Sequence, residues 1–298
     1  MIRYGISLAS IRAAINKVDA KWFANAAAVL AGLPNPPKSS DFKPLWSKIK
    51  GVYIELQHSK CCFCEKPLEG KVEQDVEHFR PKAEVKPWQV PSRLLAQGVA
   101  VQQPTDGSSE PGYSQLAYSP FNYAIACKTC NSTLKKNFFP IEGTRDSTAT
   151  DPAKMDGEKA LLIYPIGAVD DDPEQLIEFE ALSPVPKKAS GFNRRRALVT
   201  IEVFRLDDNS RRRPLFKLRA TFVWLLFLEL ERRANARSVI QRQKAQAAIE
   251  MLTSPEMPFA NCLRSFERLY GSDQARAEAI AEECQKFMKT KSTYRRGT

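Results

Sequence analysis

Two pairs of cysteines with the same spacing constrain this chain more than any other feature. Two residues separate the members of each pair, Cys61 with Cys64 and Cys127 with Cys130. At this spacing a single turn directs two thiolates toward a common tetrahedral Zn²⁺. Four thiolates would complete the coordination sphere and leave no position for water, so we expect a structural zinc ion.

Cysteine usage and hydropathy bear on the compartment. The seven cysteines are an odd number in a chain of 298 residues, and Arg3, Arg12 and Lys17 interrupt the apolar residues of the first segment. Neither a secretory signal nor a disulfide framework is therefore expected, and metal-binding thiols fit better. The longest apolar run, residues 222–228, is much too short to cross a bilayer. These features predict a cytoplasmic protein without a membrane segment.

The charge of the chain favours a polyanionic partner. Its formal net charge is +11, and each Lys or Arg that meets a phosphate releases a condensed counterion. Arginine clusters at 194–196 and 211–213 suit a phosphate backbone, although a solvated helix face explains part of this pattern. Charge alone does not establish binding, because many basic proteins are simply soluble.

Apolar residues recur at helical spacing before the first cysteine pair. Residues 1–58 are predicted to be helical, with a break at the prolines of segment 34–37. Ser39, Ser40 or Asp41 can cap a second helix that would run directly to Cys61.

Changes in composition and in the spacing of apolar residues divide the chain into three parts. The predicted parts are an N-terminal helical segment at 1–58, a zinc-stabilised module at 59–145 with an inserted loop at about 87–118, and a mainly helical C-terminal region at 146–298. The insertion is suggested by a polar interruption rich in Pro, Gly and Ser. We therefore predict a mainly α fold around a small module, α+β overall.

A histidine between the cysteine pairs follows a carboxylate. The segment reads Asp75-Val76-Glu77-His78-Phe79-Arg80-Pro81-Lys82, and His78 is one of only two histidines. A lone histidine is more often structural, but an imidazole beside a metal-binding carboxylate suits the activation of water for phosphodiester attack. The other histidine, His58, lacks such neighbours and is expected to be structural or solvent-facing.

The order of these motifs is similar to that of a known enzyme family. A C-x₂-C pair is followed by Glu-His, then by an Asn, and then by a second C-x₂-C pair with an adjoining Asn and trailing lysines. This order resembles zinc-stabilised HNH endonucleases, whose catalytic centre is a small ββα-metal (His-Me finger) module. The resemblance implies a metal-dependent enzyme that hydrolyses phosphodiester bonds.

The resemblance implies roles for individual residues. Glu77 and Asn131 match the ligands of a catalytic Mg²⁺ or Mn²⁺, His78 matches the general base, and Asn122 matches the position that braces the loop. Asp75 would share a strand face with Glu77, so it could replace or assist Glu77 as ligand. The step from His78 to Asn122 is longer than in compact HNH motifs, which we interpret as an insertion within the two-stranded part.

More narrowly, residues 76–82 resemble the HNH nuclease subunit of Septu-type and retron-associated anti-phage systems. By analogy this implies a role in antiviral defence and a partner ATPase. Basic residues beside the motif are candidates for nucleic-acid contacts, with DNA favoured over RNA; they are Arg80, Lys82, Lys135 and Lys136. The main alternative is a non-catalytic zinc ribbon that binds nucleic acid or protein, for example as a subunit that docks on an ATPase.

Overall fold

A computed structural model of the chain describes residues 1–290. The described residues form two compact units. Unit 1 comprises Met1–Ile177 and Val185–Arg205, and unit 2 comprises Glu178–Pro184 together with the described residues from Leu206 onward. These units are defined by contacts between residues, whereas the sequence-based division was drawn from composition and apolar pattern. Unit 1 contains both predicted segments that precede residue 146. The mainly α, α+β class is confirmed.

Three helices form the N-terminal part of unit 1, and they are α1 (Leu8–Val18), α2 (Trp22–Ala31) and α3 (Lys50–Leu56). The hydroxyl of Ser7 caps α1 by accepting a hydrogen bond from the amide of Ser10 at 3.0 Å, which satisfies a free donor of the first turn. α1 packs against both α2 and α3.

The second predicted helix is shorter than the spacing of its apolar residues suggests. Residues 39–41 and 45–47 form 3₁₀ turns, and the α-helix begins only at Lys50. Pro44 has no backbone N–H and therefore cannot continue a helix through this segment. The carboxylate of Asp41 accepts a hydrogen bond from the amide of Lys38 at 2.7 Å, so this predicted cap belongs to the first 3₁₀ turn.

Short strands lie between the cysteine pairs. The strands are β1 (Gln74–His78), β2 (Glu84–Val85), β3 (Glu110–Pro111) and β4 (Tyr123–Cys127). β1 pairs with β4 and β2 with β3, each antiparallel. The predicted insertion contains the short helix α4 (Ser92–Leu95) and the strand β3, so it has secondary structure of its own.

Two helices complete unit 1, and they are α5 (Pro173–Leu176) and α6 (Gly191–Val203). Asp172 caps α5 by accepting from the amide of Glu174 at 3.1 Å. The second half of α6 is buried, so its apolar residues contribute to the core. A hairpin of β5 (Ile177–Glu180) and β6 (Ser183–Pro186) separates these helices.

Unit 2 contains four longer helices, and they are α7 (Arg213–Ala234), α8 (Val239–Thr253), α9 (Ala260–Ser272) and α10 (Gln274–Lys289). α7 packs against each of the other three, and its buried residues recur at three- and four-residue steps, as one helix face requires. All four helices lie in the part of the chain that was predicted to be mainly helical. Among residues 1–290, no helix has the length and apolar character needed to span a membrane.

Candidate metal centre

The paired strands β1 and β4 bring the two halves of the sequence motif together. His78 lies opposite Tyr123 and Glu77 opposite Ala124. All five residues of β4 are buried, which suits its apolar sequence. A π-helical turn, Thr129–Lys135, follows directly. π-turns are rare and often lie at functional sites.

The four predicted zinc ligands converge. The Sγ atoms of Cys61, Cys64, Cys127 and Cys130 all lie within 4.8 Å of one another, and all four residues are buried. The Sγ atoms of Cys64 and Cys127 are 3.9 Å apart, and tetrahedral Zn–S bonds of about 2.3 Å require S···S separations of about 3.8 Å. The arrangement therefore fits a structural zinc ion.

Cys62 is buried between two of these ligands but is not a member of the cluster. Its amide donates to the carbonyl of Ile125 at 3.0 Å, so it ties the cysteine turn to β4. Burial raises the pKa of the Cys61 thiol, and a bound cation would oppose this effect by stabilising the thiolate. Cys262 and Cys284 are buried in unit 2, as core residues.

The imidazole of His78 is held on several sides. Its Nε2 lies 3.2 Å from the carbonyl oxygen of Ala117; because a carbonyl can only accept, we assign the ring proton to Nε2. The rings of Trp46 and Tyr123 meet the imidazole edge to face at 4.7 and 5.1 Å. No protein group within residues 1–290 hydrogen-bonds Nδ1, which is therefore the basic nitrogen.

The surroundings of His78 keep it neutral. Burial lowers the pKa of its imidazole well below the ordinary value, and the ammonium of Lys82 adds to this effect. The contact with the carbonyl of Ala117 opposes the shift. A neutral imidazole is the form that can accept a proton. His58, in contrast, is exposed.

Glu77 is buried in an ion pair. Its carboxylate contacts the ammonium of Lys135, and this ammonium also donates to the carbonyl of His78 at 3.2 Å. Both side chains are almost completely buried. Burial raises the pKa of Glu77, while the charge of Lys135 opposes the shift. Lys135 thus supplies a counter-charge to a carboxylate that would otherwise be costly to bury.

Glu77, His78 and Asn131 line one cavity of about 160 Å³. Asp75 is not among its lining residues. The Asp75 carboxylate instead accepts hydrogen bonds from the amide of Asn131 at 3.2 Å and the hydroxyl of Ser132 at 3.0 Å. Carboxylate and amide oxygens are the donors that a hard cation such as Mg²⁺ prefers, so the side chains of Glu77 and Asn131 fit such an ion chemically.

Asn122 joins two chain segments through its side chain. Its Oδ1 accepts from the amide of Arg80 at 2.7 Å, and its Nδ2 donates to the carbonyls of Arg80 and Leu116 at 3.0 and 3.1 Å. The side chain is completely buried. It therefore fixes the backbone immediately after His78.

Two of the four predicted nucleic-acid contacts lie in buried ion pairs. The guanidinium of Arg80 pairs with Glu158 at 2.9 Å, and Lys135 pairs with Glu77. Burial requires the charges of Arg80 and Lys135 to be paired, so they are less available to a phosphate backbone than solvated cations are. Lys82 and Lys136 line the cavity, and Lys136 is exposed.

The first arginine cluster is also used structurally. Arg195 pairs with Glu142 at 2.5 Å, and Arg196 pairs with Asp170 at 2.5 Å and Asp171 at 3.0 Å. Their charges are therefore largely neutralised within unit 1, which lowers their value for binding phosphate.

Three residues at this site have no sequence motif to mark them. Gln57 forms two hydrogen bonds with the backbone of Ile125, at 2.7 and 2.8 Å. Glu158 accepts from Arg80 and from the hydroxyl of Tyr113 at 2.6 Å. Trp46 packs on His78. An isolated Gln, Glu or Trp carries no such signal, since only the folded chain brings these partners together.

Part of the chain is similar in sequence to a known protein. Over 132 residues the sequence is 33% identical to the Septu protein PtuB of Bacillus mycoides (strain KBAB4). The similarity supports a Septu-type relationship. It covers 44% of this chain and only 38% of the length of the relative. No protein-family model matches the sequence, and no solved structure matches it.

Proposed function

We propose that the chain is a metal-dependent HNH endonuclease that hydrolyses phosphodiester bonds in nucleic acid. One observation carries the proposal: Glu77 and His78 line the same cavity as Asn131, which lies far from them in sequence. The antiparallel β1–β4 pair followed by the turn at Thr129–Lys135 supports a ββα-metal module.

In this proposal His78 is the general base. The carbonyl of Ala117 holds Nε2–H, so Nδ1 is available to take a proton from the attacking water. Asn122 holds the backbone of Arg80 and thereby limits the movement of the segment that follows His78. The depressed pKa of His78 keeps the base unprotonated near neutral pH.

Glu77 and Asn131 would hold the catalytic cation. When bound, Mg²⁺ or Mn²⁺ would polarise a phosphate oxygen and stabilise the departing 3′ oxygen. Lys135 lies against Glu77, so its ammonium and the cation compete for the same carboxylate. Asp75 contacts Asn131 and is a candidate to orient the amide oxygen toward the ion.

The similarity to PtuB extends the proposal to antiviral defence, with DNA as the favoured substrate and an ATPase as partner. Co-purification with the product of a neighbouring gene would test the partner. The alternative is a non-catalytic zinc module. The ion pair between Glu77 and Lys135 favours that alternative, because it already neutralises one of the two presumed cation ligands.

Cleavage of a supercoiled plasmid and of a structured RNA distinguishes these functions. We expect Mg²⁺- or Mn²⁺-dependent cleavage that EDTA abolishes. His78→Ala should reduce the rate about 10²- to 10⁴-fold, the usual effect of losing a general base, with zinc content unchanged. His58→Asn is the control, since His58 is exposed and Asn tolerates its positive φ. Full activity of His78→Ala would exclude His78 as the general base, and no cleavage by the wild-type protein with its partner would exclude the nuclease.

A further inference from the structure

Lys82 places an ammonium at the candidate site that forms no contact ion pair among the described residues, although the charge of Glu77 acts on it from a distance. Lys82 lines the cavity together with Glu77 and His78. Among residues 1–290, the neighbouring Arg80, Lys86 and Lys135 are each in an ion pair, but Lys82 is in none. Its charge is therefore available to an anion that enters the cavity.

Two aromatic rings hold this ammonium. The Nζ atom of Lys82 lies 4.8 Å from the ring centre of Trp46 and 5.9 Å from that of Phe42. Both distances are within the range of cation–π attraction. Such a contact positions a lysine but leaves its positive charge unneutralised, unlike an ion pair.

The same indole also contacts the candidate base. The ring of Trp46 meets that of His78 at 4.7 Å with an interplanar angle of 88°. On another side it stacks with Tyr118 at 6.0 Å and 30°. Trp46 is thus the one described aromatic residue that touches both His78 and Lys82.

The segment that carries Trp46 is fixed to unit 1 on both sides. The indole N–H of the buried Trp22 donates to the carbonyl of Leu45 at 2.9 Å. The hydroxyl of Tyr118 donates to the carbonyl of Lys43 at 2.8 Å, while the side chain of Ile49 is buried. The position of the indole is therefore defined by the fold.

We propose that Lys82 binds the scissile phosphate and that Trp46 is a positioning residue that holds Lys82 and His78 in register with each other. The phosphate assignment rests on the proposed nuclease function. A phosphodiester oxygen is the anion that such a reaction brings to this cavity, and an ammonium at that oxygen stabilises the charge that develops during attack. Phe42 and Trp46 would then belong to the site although they lie outside the cysteine-bounded motif.

Kinetics of single-turnover cleavage test the two roles. Lys82→Met and Trp46→Leu should each lower the maximal rate about 10- to 100-fold, with a smaller effect on DNA affinity. Because both changes disturb the same contact between Lys82 and Trp46, the double variant should be little slower than the slower single variant. Trp46→Phe should recover part of the rate by restoring an aromatic face. Lys86→Met is the control, since Lys86 pairs with Glu84 outside the cavity.

Proton NMR gives a readout that is independent of cleavage. With only two histidines in the chain, the ring protons of His78 and His58 can be followed separately. Trp46→Leu should move the His78 signals, because the ring current of the indole is lost, and should leave the His58 signals unchanged. Inorganic phosphate should perturb the His78 signals in the wild-type protein and in Trp46→Phe but not in Lys82→Met.

The two experiments separate the failure of this inference from the failure of the proposed function. If the wild-type protein cleaves nucleic acid and Lys82→Met cleaves equally fast, the phosphate role is wrong and the nuclease stands. If nothing is cleaved but phosphate binding requires Lys82, the anion site is confirmed and the proposed nuclease function is wrong. Unchanged His78 signals in Trp46→Leu would overturn the positioning role.

Discussion

The imidazole of His78 links stability to pH in a definite direction. Burial holds its pKa in the folded state below the ordinary value of about 6.5. The unfolded chain therefore binds a proton at a higher pH than the folded chain does. The contribution of this group to stability is complete above about pH 6.5 and is lost as the pH falls toward the pKa of the folded state.

We expect the free energy of unfolding to fall more steeply between pH 6.5 and 5 in the wild-type protein than in His78→Asn. Urea unfolding at a series of pH values measures this difference. His58→Asn should behave like the wild-type protein, because His58 is exposed and Asn tolerates its positive φ of 52°. The cysteine cluster is the same in all three proteins, so acid release of a metal that it holds cancels in the comparison. Parallel curves for wild type and His78→Asn would contradict the assignment.

Among the secondary-structure elements, the cysteine cluster joins the turn before β1 to the end of β4 and the turn that follows it. Cys61 and Cys62 are adjacent and completely buried, but only Cys61 belongs to the cluster. Zinc binding contributes on the order of 10 kcal/mol to folding in small zinc domains. Cys61→Ala should therefore reduce the zinc content and lower the Tm of unit 1 by about 10 °C or more.

Cys62→Ala provides the matched comparison for the zinc site. It removes the same thiol at a buried position but leaves all four clustered cysteines in place, so it should retain full zinc and lose only the modest stability of a small cavity. Metal analysis and thermal unfolding of both variants measure this. Equal zinc content in the two variants would mean that Cys61 is not a ligand.

The sequence was informative where a feature depends on spacing between nearby residues, and uninformative where interacting residues are far apart in the chain. The spacing of the cysteine pairs predicted their convergence, and the part of the chain that contains α9 and α10 was predicted to be mainly helical. Pairing of β1 with β4 joins His78 to Tyr123 across the insertion, and only the resemblance suggested it. The helix predicted through residue 46 failed because local periodicity does not register the effect of Pro44 on the backbone.

Buried ion pairs were the least predictable part of the site. Arg80 and Lys135 look like surface contacts in the sequence because they flank the motif. Their partners are Glu158 and Glu77, and the first of these is 78 residues away from Arg80. No local pattern encodes such a pairing, since the decision between a solvated and a buried charge depends on which acid the fold brings near.

For the whole molecule, the 45 lysines and arginines overstate the number of cations available to nucleic acid. Arg195 and Arg196 are paired with acids, whereas Lys136 is exposed beside the cavity. Each phosphate contact contributes about 0.9 to the slope of log K against log salt concentration for duplex DNA. The slope therefore counts the cations that meet phosphate and ignores those used to hold the fold.

We expect Lys136→Gln to reduce the magnitude of that slope by about 0.9, since it removes one exposed contact. Arg195→Gln removes the same formal charge but breaks the ion pair with Glu142, so it should leave the slope unchanged while lowering the Tm slightly. Fluorescence anisotropy with labelled DNA at several salt concentrations, in EDTA to prevent cleavage, measures both slopes. Equal reductions in the two variants would mean that DNA binding depends on total charge. The ion pair of Arg195 would then not prevent this residue from contacting DNA.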